Sequence, residues 1–140
     1  MASIREQIIS ALFSVIETAL PDVALMRSPV DPLSRNLPLA IVLDWVGEEF
    51  TPLTFGHHDV DLSVRISVFS RADGVEQSVD AHMVTVHSAL MLDRSLGGLC
   101  SDIGITSSSK SRNDLDDHIV SVAHEYNVKY RIISNNITAH

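Results

Sequence analysis

Two stretches of the chain place apolar residues at the three- and four-residue steps of an amphipathic helix. The first covers residues 3–20; it opens with Ser3 and Glu6 at the spacing of a capping box and is stopped by Pro21. The second covers residues 75–92, where apolar residues recur at the same steps. We therefore predict two helices, each with one face buried in the core.

Strict alternation of apolar and polar side chains marks one β-strand clearly. Even-numbered residues from Val60 to Val68 are apolar, and the odd-numbered residues between them are polar. This period of two gives the strand one face in the core and the other in water or against a partner. Apolar runs or shared parity predict four further strands, at residues 23–27, 39–44, 103–107 and 120–132.

Polar and turn-forming residues separate these elements. Residues 28–36 are expected to form a loop, and the serine-rich stretch 108–117 a flexible hairpin loop. Residues 47–56, with Pro52 and two phenylalanines, are expected to form a long hairpin tip. Residues 134–140 are expected to form a flexible tail.

The predicted order α-β-β-β-α-β-β indicates an α+β fold. Strands in tandem with only two helices favour a mainly antiparallel β-sheet with two amphipathic helices packed on one face. The second helix then crosses the sheet between two strands. A length of 140 residues, without an internal repeat or a linker, predicts a single domain spanning residues 1–140.

Net charge and cysteine content narrow the classes of function. Eighteen Asp and Glu against ten Lys and Arg give a formal charge of −8, which argues against a surface that neutralises nucleic-acid phosphates. Cys100 is the single cysteine, so an intrachain disulfide, a CxxC redox centre and a thiolate zinc cluster are excluded. No apolar run is long enough for a membrane span, and no signal peptide is indicated. We expect a soluble protein in a reducing, cytosolic setting.

Histidines are the first candidates for chemistry, because the chain has seven of them. The densest cluster is His57-His58-Asp59, but neighbouring residues on a strand point to opposite faces. His82 and His87 lie five residues apart on the second predicted helix, about 140° round its axis, so they do not readily share one ion. Histidines on the surface and rim are the preferred interpretation, and we expect neither a metal nor another cofactor.

The sequence evidence for a catalytic site is as weak as that for a metal site. Cys100 follows a Gly-Gly turn without a histidine near it in sequence, which is more typical of a small buried residue than of a nucleophile. Asp114, Asp116 and Asp117 could act as paired carboxylates, but a serine-rich loop favours solvated charge. Neither a GxSxG motif nor a phosphate-binding glycine loop is present. The sequence therefore predicts no enzyme.

The stretch between Asp44 and Asp61 has the composition of an interaction surface. It holds three of the seven aromatic residues, five acidic residues and no lysine or arginine. Aromatic residues on a loop suggest the anchor of an interface. Packing back over the edge of the sheet is an equally good interpretation of the same side chains, which are Trp45, Phe50 and Phe55.

Several segments, taken together, carry a resemblance to a known protein family. The most specific one is the helix end and turn Asp93-Arg94-Ser95-Leu96-Gly97-Gly98-Leu99. The others are Ser3-Ile4-Arg5-Glu6-Gln7-Ile8, Leu37-Pro38-Leu39-Ala40-Ile41-Val42, the alternating strand 59–70, Val86-His87-Ser88-Ala89-Leu90-Met91 and Val128-Lys129-Tyr130-Arg131. Over residues 3–132 the chain thereby resembles the tail terminator proteins of long-tailed bacteriophages, also called tail completion proteins or minor tail protein U.

The resemblance implies a small α+β subunit that assembles with copies of itself into a ring, a hexamer in that family. Such a ring sits on the last ring of the tail tube, stops tube polymerisation and presents the surface on which the filled head docks. The implied partners are the tail tube protein and a head-completion or neck protein. The implied location is the head-proximal end of the tail in the virion, after assembly in the host cytoplasm. Neither a reaction, a cofactor nor a membrane is implied.

An acidic surface suits such a ring, because like charges let DNA pass through a lumen without specific binding. We expect some of five acidic residues to line that channel. These are Glu48, Glu49, Asp114, Asp116 and Asp117. The three aromatic residues named above are expected to form a contact with another subunit or with the tube.

Two alternatives stay open. Another head-tail connector or neck protein of the same virion would use a similar small scaffold. A metal-dependent hydrolase with histidine and carboxylate ligands would be built around His57, His58, Asp59 or His124.

Overall fold

The computed structural model describes residues 2–27, 39–70, 76–113 and 119–133, together with Ile137. Within them the elements follow the order α-β-β-β-α-β-β, which confirms the predicted α+β fold. The helices are α1 (Ile4–Ala19) and α2 (Glu76–Leu92), and the strands are β1 (Ala24–Arg27), β2 (Leu39–Pro52), β3 (His57–Ser70), β4 (Asp102–Asn113) and β5 (Ile119–Ile133).

Helix α1 begins at the predicted Ser3 cap, with the hydroxyl half of the predicted capping box in place. The Ser3 hydroxyl accepts a hydrogen bond from the Glu6 backbone N–H at 3.1 Å, which satisfies a donor that the first helical turn leaves free. The Ile4 N–H donates to the Ile137 carbonyl at 2.8 Å, so the start of the helix is joined to the C-terminal part of the chain. The Glu6 carboxylate pairs with Arg27 of β1 at 2.6 Å, an exposed contact worth less than about 1 kcal/mol.

All five strands form one sheet in the order β1-β2-β3-β5-β4. The short β1 pairs parallel with β2, and the other three pairings are antiparallel. Because β4 lies beyond β5 rather than beside β3, the chain has to cross the sheet after β3, and α2 makes this crossing in contact with β3 and β5. Neither α1 nor α2 is long and apolar enough to span a lipid bilayer.

The two helices pack on one face of the sheet and leave the other free. The even-numbered residues of β3 from Val60 to Val68 are at most 1% exposed and share one core with buried residues of both helices. The odd-numbered residues of β3 point to the opposite side, which we call the open face. From α1 the core receives Ile4, Ile8, Ile9, Leu12 and Ile16, and from α2 Val79, Met83, Val86 and Leu90.

The connection between β2 and β3 is much shorter than the sequence indicates. The prediction of a long hairpin tip at residues 47–56 is wrong, because β2 continues to Pro52 and pairs with β3 as far as His58. A register shift between Trp45 and Gly47 inserts one extra residue into the strand. This bulge changes the parity of inward-facing positions, so the second half of β2 does not continue the alternation of the first half. Only residues 53–56 are left for the turn.

The prediction of a loop at residues 108–117 is wrong for residues 108–113. Residues 108–113 continue β4, which pairs with β5 from Asp102 to Asn113 and shifts register between Ile105 and Ser107. The polar sequence is explained by the position of β4 at the edge of the sheet, where apolar side chains are not required. The rest of that prediction, the predicted loop 28–36 and most of the predicted tail 134–140 lie outside the described residues.

A tight turn held by Asp93 follows α2, as its two glycines predict. The Asp93 carboxylate accepts hydrogen bonds of 2.7–3.1 Å from the Ser95 hydroxyl, the Ser95 N–H and the Gly97 N–H. These bonds, that of the Ser95 hydroxyl first, lower the pKa of Asp93. Gly97 and Gly98 have φ angles of 69° and 94°, a region that glycine enters without a steric penalty.

Candidate interaction surfaces

The turn between β2 and β3 presents an aromatic side chain to solvent. We call residues 53–56 the hairpin apex. Phe55 is 95% exposed and has a φ angle of 63°, a left-handed conformation that costs about 1–2 kcal/mol for a residue with a Cβ. The His57 Nδ1–H donates to the Phe55 carbonyl at 3.0 Å, and the Leu53 N–H donates to the His57 carbonyl at 2.8 Å. The apex is thus held in one conformation while its ring stays in solvent, which is the arrangement of a preorganised anchor.

The other two aromatic residues of this stretch are only partly packed. The bulge after Trp45 places Trp45 and Phe50 on the same face of the sheet, opposite core residues of β3. Trp45 stays 41% exposed and Phe50 48% exposed. The Arg5 guanidinium of α1 lies 4.3 Å from the centre of the Trp45 ring, a cation–π contact that holds this ring against the helix. Of the three, Phe55 has the most surface available for a partner.

Glu48 and Glu49 point to opposite faces of the sheet. The Glu48 side chain is 9% exposed; it accepts a hydrogen bond from the Tyr130 hydroxyl at 2.5 Å and pairs with Arg5 at 3.3 Å. Burial, and then the Glu48 carboxylate, raise the pKa of Tyr130. Glu49 lies opposite Asp61, on the open face. Because both Glu48 oxygens have partners within the subunit, only Glu49 of the two fits a role at a channel.

The open face carries an excess of acidic side chains. Across β2, β3, β5 and β4, the strand pairing places six carboxylates and three cations there. The carboxylate of Asp102 is also paired with Arg94, from the turn after α2, at 2.7 Å, which brings the net charge to −2. Two exposed ion pairs lie among these residues: Arg65 with Glu125 at 2.7 Å, and Arg131 with Asp59 at 2.9 Å. The nine residues are Asp44, Glu49, Asp59, Asp61, Asp102, Glu125, Arg65, Lys129 and Arg131.

The remaining three acidic residues expected at a channel are not placed. Asp114, Asp116 and Asp117 lie outside the described residues. Strand β4 ends and β5 begins at the end of the sheet opposite to the hairpin apex, since Asn113 pairs with Ile119 whereas His57 pairs with Ile133. The expected position of the three aspartates beside DNA therefore stays a prediction.

Three ring side chains form a polar cluster between α2 and the sheet. The Tyr126 hydroxyl is buried, 3.0 Å from Nδ1 of His87 and 3.4 Å from Nδ1 of His124. Burial raises the pKa of Tyr126 to about 12, so its oxygen stays protonated, whereas a metal needs a deprotonated ligand. Across the described residues, no group of three His, Cys, Asp or Glu side chains is arranged to hold a metal ion. The cluster is a structural hydrogen-bond network.

The position of His124 in this cluster predicts a loss of stability in mild acid. Burial first, and then repulsion from His87, lower the pKa of His124 from its usual 6.5, while Asp80 acts in the opposite direction. As the pH falls through 6.5, the unfolded chain takes up this proton before the folded chain, so the free energy of unfolding decreases. Urea unfolding between about pH 7.5 and pH 5 should show a weaker pH dependence in His124→Gln than in the wild type.

The control for this prediction is Thr85→Ala, at an exposed, non-titrating position of α2 outside the cluster. This variant should keep the wild-type dependence on pH. An unchanged pH dependence in His124→Gln would contradict the assignment.

Cys100 has the properties of a buried structural thiol. It is 7% exposed, and its Sγ–H donates to the Arg94 carbonyl at 3.3 Å. Burial, with repulsion from Asp102 and Asp93, raises the pKa of Cys100 to about 11. The thiolate is the nucleophilic form, so this cysteine is unreactive near neutral pH.

An apolar groove of about 570 Å³ lies between α1 and the end of α2. Leu92 at its border, the last residue of α2, is 88% exposed. The sequence patterns do not single out this groove, because its shape depends on how the two helices cross. Its apolar lining is formed by Ala11, Val15, Ala19, Ala89, Leu92 and Leu96.

Comparison with protein-family models and with curated protein sequences finds no match for this chain. Solved structures, in contrast, share its arrangement of helices and strands. One of them has a TM-score of 0.52 at 14% sequence identity, and the match covers 91% of this chain and 94% of that one. This likeness is one of fold alone.

Two further similar chains come from assembled particles. A chain from the virion of a native gene transfer agent particle has a TM-score of 0.49 at 9% identity, with 89% of this chain and 94% of that chain covered. The sheath/tube terminator of an extracellular contractile injection system, in its extended state, has a TM-score of 0.49 at 12% identity. That match covers 89% of this chain and 56% of the terminator.

Proposed function

We propose that this protein is a structural, non-catalytic subunit of a tailed virus-like particle. Within that class, we propose that it is a tail terminator, whose copies form a ring on the head-proximal end of the tail tube, stop tube growth and present the docking surface for the head. The hairpin apex carries the proposal, because Phe55 is 95% exposed and held in a fixed, unfavourable backbone conformation. An exposed aromatic anchor has a use in assembly and none in the folding of the monomer.

Two buried titratable groups with raised pKa values support a non-catalytic role. The pKa of Cys100 is raised to about 11 and that of Tyr126 to about 12. Catalytic sites shift such groups in the opposite direction, towards the pH at which they work. In the part of the chain that the structure describes, burial thus makes these two side chains inert.

The charge of the open face fits a passage for DNA. We propose that this face turns towards the channel of the ring, with Glu49 among the lining residues. Its net charge of −2 per subunit, with Arg94 counted beside Asp102, would repel the DNA backbone and prevent specific binding. Glu48 is not part of this proposal, because its carboxylate is paired with Tyr130 and Arg5.

Charge reversal tests this orientation. Glu49→Lys changes the charge by two units per copy, so DNA ejection from assembled particles should become slower or stop at the ring. Glu17→Lys, an equal reversal at an exposed position on α1, is the matched control and should leave ejection unchanged. The same change at Asp114, Asp116 and Asp117 tests the prediction for these residues. Unchanged ejection kinetics with all of these reversals would refute the acidic channel.

The position of the protein in the particle tests the proposed function. Gold-labelled protein in electron micrographs should mark one end of headless tails and the neck of complete particles. Label on the head vertex of tailless particles, with none on headless tails, would instead assign the chain to another head-tail connector. Stoichiometric tightly bound metal together with hydrolytic activity would instead favour the metal-dependent hydrolase.

A further inference from the structure

Exposed apolar side chains concentrate at one end of the sheet. Phe55 at the hairpin apex is 95% exposed, and Leu53 in the same turn is 36% exposed. Ile133 of β5, which pairs with His57 beside the apex, is 37% exposed, and Phe50 of β2 is 48% exposed. Apolar residues grouped in this way mark interaction sites, whereas apolar residues scattered singly over a surface need no explanation. We call Phe50, Leu53, Phe55 and Ile133 the apex patch.

Two carboxylates lie directly opposite each other on the part of the open face next to the apex patch. Glu49 of β2 pairs in register with Asp61 of β3, which lies four residues, about 13 Å, along the strand from His57. Like charges at directly opposed positions destabilise a sheet. Lys129 of β5 faces Asp61 from the other side, but in the described sheet Asp61 is the only cross-strand neighbour of Glu49. A cation supplied by a partner would relieve this repulsion.

The described part of this chain does not offer such a cation to a second copy. The structure describes seven Lys and Arg side chains, and five of them form ion pairs within the chain. Lys129 faces two carboxylates, and Lys110 also has an interaction within the chain. The apolar groove between α1 and α2 is bordered by the carboxylate of Asp93, which has the same sign of charge as Glu49. The apex patch and its acidic neighbours therefore fit a protein of different sequence better than another copy of this one.

We propose that the apex patch docks into an apolar socket on a different protein, and that a Lys or Arg of this partner lies beside Glu49 and Asp61. The inference rests on the proposed function, under which the partner is the subunit at the end of the tail tube. The socket then has a basic group at its border, about 13 Å from the position that the apex occupies. Such a border gives the docking both its orientation and a dependence on salt. The acidic groups further along the open face remain available to line the channel.

A weak contact per copy is sufficient for this docking. The four side chains of the apex patch cover less than the roughly 800 Å² per partner of a stable interface, so a single free copy binds only weakly. Copies that other surfaces have joined into a ring meet the tube end together, and such linkage raises the overall affinity by about 10²–10⁴ without any new contact. The docking therefore persists on a tube end and not between free molecules.

Photo-cross-linking of capped tubes identifies the partner of the apex. Phe55 is replaced by p-benzoylphenylalanine, which keeps the aromatic ring; tubes capped by the full-length chain are irradiated, and the adducts are identified by mass spectrometry. The expected adduct joins this chain to the tube subunit. The same photoreactive residue in place of Val84, which is 57% exposed on α2, is the positional control and should not label the same segment of that subunit. Adducts that join two copies of this chain, or no adduct with the tube subunit, would overturn the inference.

The pair of carboxylates provides a second readout, because the inference predicts opposite effects on stability and on docking. Glu49→Gln removes the repulsion from Asp61, so the variant should unfold at a urea concentration no lower than that of the wild type. The same change removes an attraction for the partner, so the adduct yield from position 55 should fall about threefold or more and depend less steeply on salt. Glu17→Gln, at an exposed position of α1, is the matched control and should leave both quantities unchanged. A Glu49→Gln variant that is less stable, or that docks as well as the wild type, would overturn the inference.

Measurement of tube length in the same preparations separates this inference from the proposed function. Capped tubes whose adducts from position 55 contain only copies of this chain would refute the docking contact and leave the terminator function standing. Tubes that stay uncapped, with adducts from position 55 to a protein of the head or neck, would refute both the tube end as the partner and the terminator function.

Discussion

Alanine at Trp45, Phe50 and Phe55 together is expected to abolish capping of tail tubes while the monomer stays folded. The three rings are 41%, 48% and 95% exposed, so they contribute to assembly surface more than to the core. Loss of one hot-spot residue weakens an interface by about 2 kcal/mol or more, roughly thirtyfold in affinity, so we expect the loss of all three rings to abolish the contact. Phe55→Ala alone should account for the largest share, because its ring is the most exposed of the three.

Circular dichroism and tube-length measurement on the same samples check this result. Val84→Ala, at an apolar position of α2 that is 57% exposed, is the matched control and should retain capping. If the triple variant has a native spectrum and still caps tubes, the hairpin is not part of the interface. The loss of the contact between Arg5 and Trp45 should lower stability only slightly, since a cation–π contact at an exposed site is worth about 0.5–1 kcal/mol.

Tyr130→Phe is expected to lower the free energy of unfolding by about 1–3 kcal/mol. The Tyr130 hydroxyl donates a short hydrogen bond to Glu48, whose side chain is only 9% exposed. Removing the hydroxyl leaves a largely buried carboxylate that keeps its contact with the Arg5 guanidinium at 3.3 Å. An acceptor that loses its donor in a buried site keeps the cost of desolvation without the compensating bond. Urea unfolding followed by circular dichroism measures the change.

The double variant Tyr130→Phe with Glu48→Leu serves as the control for this prediction. It removes both partners at once and should be more stable than the sum of the two single variants implies. Strict additivity, or a Tyr130→Phe variant as stable as the wild type, would show that the hydrogen bond has no role in holding β2 against β5.

The helices and β3 could be predicted because their signals are local. The capping box of Ser3 and Glu6 and the alternation from Val60 to Val68 each lie within a few turns or pleats of one element. The lengths of β2 and β4 could not be predicted in this way. They depend on pairing with strands that are distant in sequence, and each contains a bulge that shifts the parity of inward-facing residues.

The same distinction between local and long-range features applies to the candidate site. An aromatic, acid-rich stretch around Phe55 is visible in the sequence, because its composition differs from that of a buried strand. The opposite orientations of Glu48 and Glu49 are not visible, since the bulge after Trp45 decides which of the two faces the core. The partner of Glu48 is 82 residues away, and the groove at Leu92 exists only where two helices cross.

The length of tail tubes tests the central claim most directly. Tube protein is polymerised alone and with this chain, and lengths are measured in negatively stained electron micrographs. If the protein is a tail terminator, tubes grow without limit when it is absent, stop when it is added, and carry it as a ring at one end. A length distribution that does not change with saturating amounts of the chain, and tubes that bind none of it at their ends, would contradict the proposed function.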